Sequence, residues 1–196
     1  MLKIGITGGI GSGKSTACKV FEILGIPVFY ADDVAKQIMV IDPLLKSQVK
    51  DTFGVESYLE DGSVNRKYLA QIVFNNEQEL QKLNKLVHPA VFRAFDNWAL
   101  GLTSKAPYLV KEAALLFESD SYKMCDQNIL VTAPLEVKIN RVMQRDHVSR
   151  EEVEARMSKQ WTDEEKIKLA NFIIYNDEQH SVISQVLELH EIFRKG

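Results

Sequence analysis

Short apolar runs alternate along the chain with longer stretches in which apolar residues recur every three or four positions. Five short runs predict β-strands, at residues 2–7, 26–30, 108–111, 128–132 and 172–175. Nearly continuous apolar strands are typical of strands buried on both faces, as in a parallel sheet that helices cover. We therefore predict an α/β fold with a five-stranded parallel sheet flanked by helices.

The stretch between the second and third predicted strands is too long for a simple crossover connection. It contains helical patterns at about 34–53, 65–74, 77–86 and 89–101. Asn65 is a candidate N-cap for the second of these helices. The pattern predicts a helical insertion into the α/β core.

The last third of the chain carries clear helix-start signals. Pro134 fits the first turn of a helix, and capping-box patterns begin at Ser149 and Thr162. An amphipathic pattern over residues 178–195 predicts a closing helix.

Composition narrows the class of protein. The chain has 196 residues, of which 45% are hydrophobic and 26% charged, which indicates one globular domain with an inserted subregion. It lacks an N-terminal signal pattern and an apolar run near the ~20 residues of a membrane span. Cys18 and Cys125 are interpreted as reduced core thiols. We expect a cytoplasmic protein that does not bind membranes.

Residues 8–15 carry the most specific motif. They match the phosphate-loop pattern G-x-x-x-x-G-K-[ST] between a predicted strand and a predicted helix. In such a loop, backbone N–H groups face one anion at the positive end of the helix. A tight glycine turn explains the glycines but not Lys14 and Ser15. The residues predicted to bind nucleotide are Gly11, Ser12, Gly13, Lys14, Ser15 and Thr16, with Ser15 also a ligand of Mg²⁺.

A phosphate loop indicates a nucleoside triphosphate but not its use. A GTPase is disfavoured, because residues 84–87 lack the aspartate of the guanine-reading N-K-x-D and the D-x-x-G match at 51–54 falls in the helical insertion. A mechanical ATPase usually has a longer chain and a second module. These exclusions leave a small-molecule kinase, or a nucleotide-binding regulator that acts through partners.

Three carboxylates follow predicted strands. Ligands of open parallel sheets gather beyond the carboxyl ends of the strands, where Asp32 and Asp33 lie. A kinase needs an aspartate to orient and deprotonate its acceptor hydroxyl, and we assign this role to Asp32. Asp33 is interpreted as a helix N-terminal carboxylate. Glu112 is either the acid that steadies Mg²⁺ or a plain surface carboxylate.

Basic residues cluster in the segment after the fourth strand. Lys138, Arg141 and Arg145 fall on one face of a predicted helix, and Lys166 lies downstream. This basic face either closes over the phosphates, with Arg141 the leading candidate, or is a solvated helix face. A nucleic-acid partner is disfavoured by the net charge of −3 and by the lack of stacking aromatics in the segment. Asn176, after the fifth strand, could lie near a bound adenine.

Together these motifs resemble one family, the dephospho-coenzyme A kinases, in order and over nearly the whole chain. The matching segments are the phosphate loop at 4–16, the D-A-D segment at 28–32, the pair His88-Pro89, the run L-L-F-E at 115–118, and the two halves of a lid at 141–146 and 160–166. Two residues depart from the family pattern. Tyr30 replaces the first aspartate of D-A-D, and Ala114 replaces the proline before L-L-F-E.

The resemblance implies an activity. It implies transfer of the γ-phosphoryl group of ATP, with Mg²⁺, to the ribose 3′-hydroxyl of dephospho-coenzyme A, the last step of coenzyme A synthesis. In this reading Asp32 is the base, His88 holds the substrate, and Lys14 and Arg141 stabilise the transition state. Another small-molecule or nucleoside-monophosphate kinase would share the loop and the lid but not the acceptor.

The resemblance also implies an organisation. It implies a P-loop kinase core at 1–33, 106–134 and 171–196, a helical substrate-binding subdomain at about 34–105 and a lid at about 135–170. We expect a monomer or a weak homo-oligomer.

Overall fold

The computed structural model describes residues 1–74, 76–102 and 106–195. Within these residues the strands are β1 (Leu2–Thr7), β2 (Val28–Tyr30), β3 (Tyr108–Glu112), β4 (Gln127–Thr132) and β5 (Phe172–Tyr175). They form one sheet in the order β2-β3-β1-β4-β5, and every pair is parallel. The predicted five-stranded parallel sheet is therefore confirmed.

Nine α-helices are present in the same described ranges. They are α1 (Lys14–Ile23), α2 (Ala31–Ile41), α3 (Pro43–Phe53), α4 (Arg66–Val73), α5 (Glu77–Gly101), α6 (Leu135–Asp146), α7 (Arg150–Met157), α8 (Asp163–Ile167) and α9 (Val182–Phe193). None of these described helices combines the length and the hydropathy that crossing a bilayer requires. The predicted caps Asn65, Ser149 and Thr162 each accept a hydrogen bond from the first turn of the helix they precede.

The chain divides into two compact units. The first comprises Met1–Tyr30 and Thr103–Gly196, and the second is Ala31–Leu102. The predicted end of the helical subdomain at 105 and the last predicted core residue, 196, lie outside the described residues. The division into core, helical subdomain and lid stays a prediction.

The sheet of the first unit is buried on both faces. Alternate strand residues, including Ile4, Ile6 and Ile129, pack with α1 and α9 in one apolar cluster. On the opposite face Gly5 lets Leu116 approach, because a Cβ at position 5 would lie 2.8 Å from the Leu116 side chain. Burial on both faces explains why these strands are recognisable as continuous apolar runs.

Strand register brings the candidate chemistry to one edge of the sheet. Ile6 of β1 pairs with Glu112 of β3, which pairs in turn with Tyr30 of β2. Because all the strands are parallel, their carboxyl ends share an edge, and the phosphate loop leaves β1 at that edge.

The second unit corrects two helix predictions. The predicted helix at 34–53 is two helices, α2 and α3, because Asp42 caps the second one. Its Oδ1 accepts from the N–H groups of Leu44 and Leu45, at 2.9 and 3.1 Å. Pro43 occupies the first helical position, where its missing N–H costs nothing.

The predicted helices at 77–86 and 89–101 are one helix, α5, which continues through Pro89. A proline inside a helix removes one hydrogen bond and crowds the preceding turn. The helix nevertheless continues, and buried Ala90, Val91 and Phe95 anchor it just after the proline. The predicted break between residues 86 and 89 is therefore wrong.

Candidate active site

The phosphate loop, residues 8–16, connects β1 directly to α1. Gly11 and Gly13 adopt left-handed backbone angles, with φ of 80° and 93°, which glycine tolerates without strain. Gly13 is the N-cap of α1, so the N–H groups of the first helical turn face the loop. At Gly11 a Cβ would also overlap the backbone of Lys138 in α6. Both glycines are therefore required by geometry.

The side chain of Lys14 is held inside the loop. Its Nζ donates to the carbonyl oxygen of Gly8 at 3.0 Å and lies 3.9 Å from Oε1 of Glu112. The side chain is only 13% exposed. An anion that enters the loop therefore meets an ammonium group already in position.

A cavity of about 300 Å³ opens over the loop. It is lined by Gly11, Ser12, Gly13, Lys14, Ser15, Glu112, Arg141 and Arg145. The lining contains three cationic residues and one carboxylate, a balance that suits a polyphosphate, and the Arg145 guanidinium also pairs with Asp146 at 2.7 Å. The structure thus brings Glu112 and Arg141 together with the predicted nucleotide-binding residues 11–15, whereas Thr16 does not line the cavity and is exposed one residue further along α1. Arg145, predicted only as part of the basic face, joins them.

Glu112 ends β3 beside the loop. Its side chain is 12% exposed, so the alternative that Glu112 is a plain surface carboxylate is wrong. Ser15, which carries a hydroxyl, and Glu112, which carries a carboxylate, both line the cavity. Such hard oxygen donors suit Mg²⁺, which in kinase sites takes one or two protein ligands together with substrate phosphates. The described residues hold no cluster of three or more His, Cys, Asp or Glu side chains that could bind a metal alone.

Two lysines of the basic segment are buried rather than solvated. Lys138 is buried, and its Nζ donates to Oδ2 of Asp163 at 2.8 Å; the same oxygen accepts from the Thr132 hydroxyl. Lys166 is fully buried, with Nζ 3.0 Å from Oε1 of Glu118. Both ammonium groups are therefore committed to carboxylates, which corrects the expectation that Lys138 and Lys166 are available to phosphate.

The predicted lid packs directly on the loop. The side chain of Gln160 accepts a hydrogen bond from the N–H of Ile10 at 2.9 Å. The Ile10 side chain packs against an apolar cluster formed by Ile139, Val142 and Val153. These contacts connect α6 and α7 to the tip of the loop.

A larger cavity of about 700 Å³ opens beside Gly9, between the end of β4 and the helices α7 and α8. Its walls include Leu135, Trp161, Ile167 and Tyr175. Of the residues predicted to face the phosphates, Lys138 alone lines it, and its ammonium group is paired with Asp163. The smaller cavity is therefore the candidate phosphate site.

Asn176 is the functional residue that the sequence indicated least clearly. It follows β5, and its Nδ2 donates to the carbonyl oxygen of Ser12 at 2.9 Å. Arg141 donates to Asn176 twice, to the backbone oxygen at 3.2 Å and to Oδ1 at 3.3 Å. Its position at the carboxyl end of a parallel strand was the only signal in the sequence.

Asp32 and His88 belong to the second unit. Asp32 lies in the first turn of α2 and is exposed, and Asp33 beside it pairs with Lys36 at 2.7 Å. His88 lies within α5, where its ring stacks on Phe92 with centroids 6.3 Å apart. The catalytic role of Asp32 and the substrate role of His88 stay predictions.

Tyr30, which stands where the family pattern has an aspartate, supplies a phenol in place of a carboxylate. Its hydroxyl donates to Oε1 of Glu22 on α1 at 3.0 Å. Burial, together with this hydrogen bond, raises the pKa of Tyr30 above its ordinary value, so the phenol stays neutral. At the second departure from the family pattern, the backbone oxygen of Ala114 accepts from the Thr7 hydroxyl at 3.3 Å.

Comparison with known proteins gives one consistent result. Residues 2–181 match the profile of the dephospho-CoA kinase family. A dephospho-CoA kinase of Bacteroides fragilis is 36% identical over 188 residues, which cover 96% of this chain and 91% of the relative. One from Chlorobium chlorochromatii is 40% identical over 184 residues, covering 90% of this chain and 85% of the relative.

Solved structures agree in fold. A crystal structure of a Thermus thermophilus protein superposes with a TM-score of 0.86 at 33% identity, covering 100% of this chain and 98% of the other. Dephospho-CoA kinase from Campylobacter jejuni gives 0.70 at 30% identity, with 99% and 98% covered. Shikimate kinase from Acinetobacter baumannii gives 0.57 at 14% identity, with 100% and 94% covered, a likeness of fold alone. The predicted P-loop kinase fold is confirmed.

Proposed function

The chain belongs to the dephospho-CoA kinase family, and from that premise we propose a role for each side chain of its phosphate site. The enzyme phosphorylates dephospho-CoA with ATP in coenzyme A biosynthesis. The acceptor is the ribose 3′-hydroxyl, and the transfer is the last step of that synthesis. The roles proposed for the phosphate site rest on one observation, the cavity over the phosphate loop that Lys14, Arg141 and Glu112 line.

The phosphate loop holds the β- and γ-phosphates. Backbone N–H groups of residues 11–16 face the anion at the N-terminus of α1, and Lys14 binds the terminal phosphates. Arg141 lines the same cavity and stabilises the charge on the transferred group. These interactions position and neutralise the phosphates, which is most of what phosphoryl transfer asks of a protein.

When bound, Mg²⁺ would supply charge neutralisation for the phosphates. Ser15 would hold it through the hydroxyl, and Glu112 would hold it directly or through water, because both line the cavity.

Asp32 orients the acceptor hydroxyl and accepts its proton. In the sequence the residue follows the end of β2 by two positions. His88 contributes to holding dephospho-CoA in the helical subdomain. The first assignment follows from the chemistry of the acceptor, and the second from the family resemblance.

We place the enzyme in the cytoplasm, since Cys18 and Cys125 are free thiols. It acts as a monomer or a weak homo-oligomer. It does not bind nucleic acid, because the net charge is −3 and the ammonium groups of Lys138 and Lys166 are paired with carboxylates.

Substitution of Asp32 and Lys14 tests the roles. We expect Asp32→Asn to lower kcat about 10²–10⁴-fold while the KM for ATP changes little, because the base acts on the acceptor. Lys14→Ala should remove most activity, because it takes away a charge inside the loop.

The matched control for Asp32 is its neighbour. Asp33 is exposed and pairs with Lys36 three positions along the same helix, so Asp33→Asn should keep normal turnover. Steady-state assays of the three variants, with melting temperatures to confirm folding, measure these effects. Near-normal kcat in Asp32→Asn, or equal losses in both aspartate variants, would remove Asp32 as the base.

A further inference from the structure

Asn176 connects the end of β5 to the phosphate loop and to Arg141. Its Nδ2 donates to the Ser12 carbonyl oxygen at 2.9 Å, and its Oδ1 accepts from the Arg141 guanidinium at 3.3 Å. Its own backbone N–H donates to the Thr132 oxygen at 2.8 Å, which fixes it to β4. An amide suits this position, because one end must donate and the other must accept.

The hydrogen bond to Ser12 fixes the orientation of one peptide group. The described residues contain no cis peptide, and in a trans peptide the carbonyl and the following N–H point in opposite directions. The Ser12 oxygen faces Asn176, so the N–H of Gly13 points away from Asn176. Asn176 does not line the phosphate cavity, whereas Ser12 and Gly13 do.

Packing at Gly13 requires the same arrangement. A Cβ on Gly13 would overlap Nδ2 of Asn176 and come within 3.3 Å of its Cγ. The amide group therefore lies directly against the α-carbon of Gly13. Glycine at this position permits the left-handed φ of 93° and also leaves room for the Asn176 amide.

We propose that Asn176 is a positioning residue for phosphate binding. It holds the Ser12–Gly13 peptide so that the Gly13 N–H faces the bound phosphates, and it holds Arg141 at the side of the same cavity. The inference rests on the proposed function of the loop as the phosphate site. It differs from a contact between Asn176 and adenine, because it places the effect on the phosphates.

Inhibition by inorganic tripolyphosphate, which has no adenine, separates these two roles. We expect Asn176→Ala to raise the tripolyphosphate Ki and the KM for ATP about tenfold each, the loss of one well-formed hydrogen bond. The KM for dephospho-CoA should stay unchanged. A raised KM for ATP with an unchanged tripolyphosphate Ki would assign Asn176 to adenine and overturn the proposal.

Gln185 provides a control for the possibility that Asn176→Ala acts by destabilising the end of β5. From α9, its side chain accepts from the Tyr175 N–H and donates to the Tyr175 oxygen, both at 2.8 Å. Gln185→Ala therefore removes two hydrogen bonds beside Asn176 without touching the loop. The tripolyphosphate Ki should stay at the wild-type value in Gln185→Ala. An equal rise in both variants would reduce Asn176 to a structural role.

Lys14→Ala separates failure of this proposal from failure of the phosphate site itself. If Lys14→Ala leaves the tripolyphosphate Ki unchanged, the proposed function of the loop fails. If Lys14→Ala raises that Ki and Asn176→Ala does not, only the proposal for Asn176 fails.

A double variant tests the route through the peptide. In an Arg141→Ala background, Asn176→Ala should still raise the tripolyphosphate Ki about tenfold, because the Ser12 hydrogen bond is independent of Arg141. Loss of the effect in that background would show that Asn176 acts only through Arg141, and the orientation of the Ser12–Gly13 peptide would not be its role.

Discussion

Replacing Gly13 by alanine should destabilise the protein far more than the same change at Gly25. Both glycines have left-handed backbone angles, with φ of 93° and 79°. The difference lies in the surroundings. A Cβ on Gly25 meets no atom within 4 Å, whereas a Cβ on Gly13 would overlap the amide of Asn176.

The expected magnitude follows from what the methyl group displaces. The left-handed conformation costs a non-glycine residue about 1–2 kcal/mol, and this applies equally to Gly13 and Gly25. Moving the Asn176 amide also breaks its bond to Ser12, worth about 0.5–1.5 kcal/mol, and its side-chain bond to the charged Arg141, worth about 1.5–3 kcal/mol. The free energy of unfolding should therefore fall about 2–4.5 kcal/mol further in Gly13→Ala than in Gly25→Ala.

Urea unfolding followed by circular dichroism measures this difference. Combining Gly13→Ala with Asn176→Ala should cost less than the sum of the two single changes, because the smaller side chain relieves the overlap. Two results would refute the reasoning. One is a loss in Gly13→Ala within about 0.5 kcal/mol of that in Gly25→Ala, and the other is strict additivity in the double variant.

Three further changes probe other parts of the first unit. The Ser12 hydroxyl is buried and has no hydrogen-bond partner among the described residues. Ser12→Ala should therefore leave the free energy of unfolding unchanged or raise it by up to about 1 kcal/mol. A clear decrease in urea unfolding would contradict this. Asp163→Asn leaves the buried Lys138 ammonium without its carboxylate and should lower the free energy of unfolding by about 2–4 kcal/mol. A decrease under about 1 kcal/mol, as for a surface salt bridge, would contradict this. Burial raises the pKa of the Cys18 and Cys125 thiols, that of Cys125 to about 11. Above about pH 9 the unfolded chain releases protons that the folded thiols keep, so the free energy of unfolding should fall there. Urea titrations at increasing pH check this against a thiol-free variant, which should show a shallower fall; equal slopes would contradict it.

The sheet was predictable because its signals are local. Strands buried on both faces are continuous apolar runs, and the predicted bounds of β1 and β5 match the observed ones. The phosphate loop and the capping boxes at Ser149 and Thr162 are likewise contained in a few consecutive residues. Such features need no information about distant parts of the chain.

The helical insertion was less predictable because local signals conflict there. Pro89 locally disfavours a helix, yet α5 runs through it. The break at Asp42 and Pro43 carried a capping signal, but the apolar periodicity continued across it and masked it.

The pairing of side chains that are far apart in the sequence could not be predicted from the sequence. In the sequence, Lys138 and Lys166 have the pattern of a solvated basic face. In the structure they pair with Asp163 and Glu118, respectively. The bond from Asn176 to Ser12 spans 164 positions of the chain. A single sequence gives the residue types of such pairs but not the pairing.

The most direct test of the account is identification by mass of the product formed from ATP and dephospho-CoA. We expect the acceptor to gain the mass of one phosphoryl group, a gain that is lost when Mg²⁺ is omitted and nearly lost in Lys14→Ala. A panel of other small hydroxyl acceptors should give no comparable product. Tight ATP binding without transfer to dephospho-CoA, or faster transfer to another acceptor, would contradict it.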